Sequence, residues 1–187
     1  MIPSPSRDAA STGTVFSRMS RSRVSPAFSP AEDIQSEEGR TGVSSSKRIR
    51  GVVLHDILSC VRVPQELKAS VARALAAGEL SESEAKEAFV LLSEGISRVA
   101  DRGWFPENGA EVMSEVTVID SDGKMYRPDR VVLKDGKVTV IDFKFGNHDI
   151  RYERQVRHYA EMWRRMGYSD VSAFLWYVQD DKVIEVI

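Results

Sequence analysis

The 187-residue chain has one cysteine, Cys60, which excludes an internal disulfide and any zinc site built from several thiolates. No apolar run approaches the roughly 20 residues that span a bilayer, so no membrane association is expected. The opening stretch "MIPSPSRDAASTG" lacks the apolar core of a secretory signal, and the expected location is cytoplasmic. Charge of one sign is also missing. Lys and Arg number 26 against 28 Asp and Glu, so a site for a polyanion must be a local patch. There is no GxxxxGK(S/T) loop and hence no visible ATPase motor. Helix-turn-helix, zinc-finger and aromatic RNA-binding patterns are absent too, so base-specific reading is not supported.

What remains is a globular composition, 42% hydrophobic and 29% charged. Residues 1–48 are rich in Ser, Pro, Arg and Gly and poor in periodic apolar positions. Such a segment cannot bury enough surface to offset its ordering entropy, and we read it as a disordered tail or linker. The domain is then 49–187. It opens with helices: "GVVLHDILSCVRV", "PQELKASVARALAAGEL" and "SESEAKEAFVLLSEGISRVADRG". Pro64 and Gly78 punctuate the second, and Ser81 with Glu84 has capping-box spacing in the third.

The period then changes to two. "EVMSEVTVID", "YRPDRVVL" and "KVTVIDFKF" read as three strands of a meander joined at "SDG" and "KDGK". A helix follows in "IRYERQVRHYAEMWRRMG", stopped at Gly167, and then the strands "VSAFLWYVQ" and "KVIEVI". This order predicts an α/β fold, a mixed sheet flanked by helices.

A two-residue loop at Asp135-Gly136 makes the hairpin register arithmetic. Lys134 faces Lys137, Leu133 faces Val138, Val131 faces Val140, and Asp129 faces Asp142. Opposed residues lie roughly 4.5–5.5 Å apart at Cβ on one face, and Lys144 shares that face. Like charges opposed across strands destabilise. Either one carboxyl is protonated, or a cation lies between them, and a divalent hard cation suits two carboxylates. The plainer alternatives are solvated strand-end aspartates with an exposed Asp142–Lys144 pair, or a bulge that shifts the register.

Pro128-Asp129 followed by Asp142-Phe143-Lys144 resembles the signature of the PD-(D/E)xK nuclease superfamily. Gln155 to Tyr159, "QVRHY", resembles the QxxxY motif of its RecB-like branch. His55 in "GVVLHDIL" stands where that branch carries a metal-binding histidine on an early helix. The likeness covers 49–187 and is to the nuclease domains that end UvrD-type helicase–nucleases, as in the RecBCD and AddAB systems.

The resemblance implies a restriction-endonuclease-like fold and metal-dependent hydrolysis of DNA phosphodiesters in recombination and repair. Mg2+ is the implied ion, with Mn2+ as a substitute. It implies that His55, Asp129 and Asp142 bind the metal, with the Phe143 carbonyl as a further ligand. Lys144 would orient or activate the attacking water, and Gln155 and Tyr159 would contact the substrate or brace the site. Implied partners are DNA and a UvrD-type helicase domain or subunit. Glu115 resembles an accessory acidic position, but a two-residue loop at Asp122-Gly123 pairs it with Arg130, away from Asp129. Arg151, Arg154, Arg157, Arg164 and Arg165 form a local basic excess that could hold phosphates. The competing readings are a non-catalytic DNA-binding module and a bare scaffold whose two aspartates point to opposite faces.

Overall fold

A computed structural model describes residues 43–107, 109–120 and 122–187 and the backbone of 16–17, with side chains from residue 50 onward. The expected disorder of 1–48 lies mostly outside these residues. The first helix, α1 (Val43–Cys60), begins before Ile49. A single turn of 3₁₀-helix at Pro64–Glu66 leads into α2 (Leu67–Ala76), so Pro64 starts that turn rather than the α-helix itself. Gly78, at φ 74°, ends α2. The helix α3 (Glu82–Arg98) carries the expected capping box: Ser81 Oγ accepts from the Glu84 N–H, and the Glu84 carboxylate accepts from the Ser81 N–H.

The strands are β1 (Phe16–Ser17), β2 (Glu111–Ser114), β3 (Thr117–Ile119), β4 (Met125–Tyr126), β5 (Arg130–Lys134), β6 (Lys137–Lys144), β7 (Asp170–Tyr177) and β8 (Lys182–Glu185). Helix α4 (Ile150–Arg165) crosses from β6 to β7, which pair in parallel. The main sheet runs β2-β5-β6-β7-β8, and its other pairings are antiparallel. Helices α1–α3 cover one face, packing Leu54, Leu58, Leu92 and Ile96 on Ile141, Phe143 and Trp176. Helix α4 covers the other, with Val156, Ala160 and Trp163 on Val131, Val140 and Leu175. The expected mixed sheet between helices is the observed architecture.

The Asp135-Gly136 turn is a two-residue loop, both residues at positive φ, and the register from Lys134–Lys137 to Arg130–Ile141 follows the arithmetic. The preceding hairpin departs from expectation. Asp120 and Lys124 close it: the Asp120 N–H donates to the Lys124 carbonyl, and Asp120 Oδ1 accepts from the backbone of Asp122 and Lys124. The loop therefore holds one residue more than "DG" alone suggests. The register moves by one, and Arg130 pairs with Ser114 rather than Glu115. Both arms also break midway. Glu115 adopts φ 51°, and its N–H donates to the Asp129 carbonyl. Beyond it, β3 leaves the main sheet and pairs with β4 and β1.

Arg130 is fully buried in the layer between sheet and α1–α3. Its guanidinium donates to the carbonyls of Trp104, Leu58 and Val61 and stacks over Phe105 at 4.1 Å. A cation is suited to the C-terminal carbonyls of α1, where the helix dipole is negative. The arginine thereby ties the end of α1 to β5. Arg130→Met would fill much of the volume but leave those carbonyls without their charged donor. We expect a loss of roughly 3 kcal/mol in urea unfolding; wild-type stability would contradict this role.

Candidate active site

The site forms where β6 ends and β5 begins. The β5–β6 ladder stops at Arg130–Ile141. The Phe143 N–H then donates to Asp129 Oδ2 at 2.6 Å, so a carboxylate takes the place of a strand. Asp129 Oδ1 lies 3.0 Å from His55 Nε2 on α1. One carboxylate thus joins the helical layer to the sheet. In extended backbone a residue's N–H and C=O face the same neighbour, which turns the Phe143 carbonyl toward the Asp129 side as well.

Asp142, 2% exposed, forms a close ion pair with Lys144 through Oδ2. Lys144 Nζ also lies 4.4 Å from the Tyr152 ring centroid, a cation–π contact from α4. The Asp129 charge acts on Asp142 across the site, while the described groups whose ligand atoms all lie within 4.8 Å of one another are His55, Asp56 and Glu115 rather than the aspartate pair.

Electrostatics explains how the cluster survives. Burial pushes Asp142 up, and the neighbouring Asp129 charge adds to this; Lys144 and His55 oppose them, leaving it at about 6. Burial would also raise Asp129, but the His55 hydrogen bond and charge, Lys144 and the Phe143 N–H hold it below the usual carboxylate range. Burial would lower Lys144, yet Asp142 and Asp129 raise it, so it stays an ammonium at neutral pH. Two carboxylates are therefore balanced by two cations from the same chain. Oδ2 of Asp142 is buried, with the Lys144 ammonium against it. A pair of oxygen-rich carboxylates beside an imidazole fits a hard divalent cation.

Glu115 is brought to the site, contrary to the two-residue-loop register. It lies opposite Asp129 through its backbone bond, and its ligating oxygen, one from Asp56 and a His55 nitrogen all lie within 4.8 Å of one another. Its partner is Arg127, which donates from Nη2 to Oε2 at 2.8 Å and from Nε to the Glu115 carbonyl at 3.0 Å. Sequence reasoning missed both Asp56 and Arg127. The adjacency of Asp56 to His55 and of Arg127 to Pro128-Asp129 was the available signal.

Gln155 and Tyr159 stand together, with Gln155 Nε2 donating to Tyr159 Oη at 2.7 Å. Tyr159 is 3% exposed, inside the α4 stripe rather than at its margin. Burial pushes its phenol well above the ordinary range, as do the nearby Asp142 and Asp129, while its hydrogen bond with Gln155 acts the other way. The basic helix is less available than its composition suggests. Arg151 folds onto the N-cap Asp149, and Arg164 donates to the Val171 carbonyl. Arg154, Arg157 and Arg165 are exposed. His148 is exposed and lies 3.5 Å from Glu153, whereas His158 is half-buried with its ring 4.4 Å from that of Tyr126.

A three-layer mixed sheet with this cluster at the end of its central strand is a restriction-endonuclease-like arrangement. A family model for the PD-(D/E)XK nuclease superfamily matches residues 34–186, and the chain belongs to that superfamily. Its members are usually nucleases and generally use divalent metals. No curated protein matches the chain at significant similarity. No helix among the described residues is long and apolar enough to cross a membrane.

Burial by itself would lower the pKa of His55, but the Asp129 hydrogen bond, helped by Asp56 and Glu115, raises it from 6.5 to about 10. A proton held more tightly on folding stabilises the fold fully below 6.5, and that stability is lost as pH rises through about 10. In chelator, the stability advantage of wild type over His55→Ala should shrink across that window. Urea midpoints of both proteins at its two ends check this, and a pH-independent difference would contradict it.

Proposed function

We propose that the chain is a metal-dependent deoxyribonuclease that hydrolyses DNA phosphodiester bonds. The observation that carries this is the convergence of His55, Asp129, Asp142 and Lys144 at the end of β6. His55, Asp129, Asp142 and the Phe143 carbonyl would hold the ion, Mg2+ or Mn2+ in its place, with Glu115 as an accessory. Such an ion supplies compensation for charge on the phosphoryl and leaving oxygens. Lys144 donates to a water, orients it beside the scissile phosphate and stabilises developing negative charge. Gln155 and Tyr159 brace the Arg127–Asp129 segment, and exposed Arg154 and Arg157 on α4 offer phosphate contacts without base preference.

The order of His55, Asp129, Asp142-Phe143-Lys144 and Gln155–Tyr159 supports the RecB-like branch. From that branch we take a cytoplasmic role in recombination or repair, beside a UvrD-type helicase domain or partner. On this reading 1–48 is a tail or linker and 49–187 is the nuclease domain. The second reading is a DNA-binding module of the same fold without catalysis. The presence of Asp129, Asp142 and Lys144 together disfavours it, since binding alone has no chemical need of a buried ion pair.

The test is incubation of the protein with linear single- and double-stranded DNA in Mg2+, Mn2+ or chelator, beside Asp142→Ala. Cleavage is expected only with metal and should weaken as pH falls through about 6, where Asp142 takes up a proton. The variant should lose at least about a hundredfold, since even groups behind a metal ligand cost 10–100-fold. DNA binding with no cleavage in either metal would favour the second reading.

A further inference from the structure

We propose that Arg127 is a phosphate clamp, held ready by Glu115, that grips the DNA backbone beside the scissile bond. This rests on the nuclease reading and adds a substrate-binding residue outside the motifs. Arginine presents its donors on two edges of a planar fork. Glu115 takes one edge completely: Nε donates to its carbonyl and Nη2 to its carboxylate. The other edge, with Nη1, makes no hydrogen bond among the described residues. The side chain is 48% exposed. A half-exposed guanidinium with one edge fixed and one edge open is oriented before any anion arrives, so little entropy is lost on binding.

The backbone is fixed as tightly as the side chain. Arg127 stands two residues before Asp129, whose carbonyl accepts from the Glu115 N–H. Glu115 in turn is held in the left-handed region at φ 51°, a conformation that disfavours a side chain. The break it makes in the hairpin is what aims its carboxylate at Arg127, as bulges beside functional sites re-aim side chains. A surface ion pair of this exposure contributes little to stability. A strained backbone maintained for so small a gain is better explained by placement of the guanidinium. The nearby acidic groups, Asp56, Glu115, Asp129 and Asp142, would repel a phosphate. A fixed cation at their rim is the element that offsets this.

The test is DNA binding in chelator, where cleavage cannot intervene, across a salt series. Wild type, Arg127→Ala, Arg127→Lys and the remote control Lys86→Ala are compared on one linear duplex. Mn2+ affinity is measured on the same proteins after the chelator has been removed. Arg127→Ala should bind about tenfold more weakly, with a salt slope lower by about one phosphate contact. Arg127→Lys keeps the charge without the fork, so it should fall between the two and keep the slope. It serves as the working variant if Arg127→Ala does not fold. Lys86→Ala should match wild type. Unchanged DNA affinity and slope in Arg127→Ala would overturn the clamp, as would loss of Mn2+ affinity alone, which would make Arg127 a strut for Glu115. Wild type that binds Mn2+ but neither binds nor cuts DNA would overturn the nuclease reading itself, a result distinct from either.

Discussion

The arrangement depends on one carboxylate. Asp129 follows Pro128 at the point where β5 has yet to begin, and its two oxygens face different layers of the protein. One meets His55 on α1, and the other accepts the Phe143 N–H on β6. A neutral side chain could make one of these contacts. Only a group with two equivalent acceptors makes both, and only at a strand end can it reach past the sheet to a helix on the opposite face from its paired neighbour. The next residue, Arg130, fixes the other side of the same junction by capping the C-terminal turn of α1 with a buried cation. Adjacent residues of opposite charge therefore position the helix that delivers the histidine.

Placing two carboxylates together in a protein interior is unfavourable, and the chain answers with its own cations. Protonated His55 and Lys144 neutralise Asp129 and Asp142. This makes the metal-free state a balanced salt cluster. A divalent ion held by His55, Asp129 and Asp142 would displace the imidazole proton, so binding would be coupled to proton release near neutral pH. The lysine keeps its charge, its partner oxygen and its aromatic wall.

Much of this was legible in the sequence, because the decisive turn has only one common geometry. Asp135-Gly136 sets the register as far as Arg130–Ile141, one step from Asp129 and Asp142. The capping box at Ser81 and the α4 stripe were equally readable, since both follow local rules. The errors arose where a residue adopts a backbone state its type disfavours. Glu115 at positive φ carries no glycine to announce the break, and the Asp120–Lys124 closure depends on a side-chain oxygen. One extra loop residue therefore moved Glu115 to the site and freed Arg130 for the core. The burial of Arg130 was illegible for a related reason: its partners are main-chain carbonyls from α1 and the Trp104 segment, distant in sequence.

Anomalous diffraction from crystals soaked in Mn2+, with Asp142→Asn in parallel, is the most direct test of the central claim. The account predicts a manganese ion ligated by Asp129 and Asp142 with His55 in its coordination sphere, and no ion there in the variant. Manganese held only by Asp56 and Glu115, or no manganese at Asp129 and Asp142 at saturating metal, would contradict it.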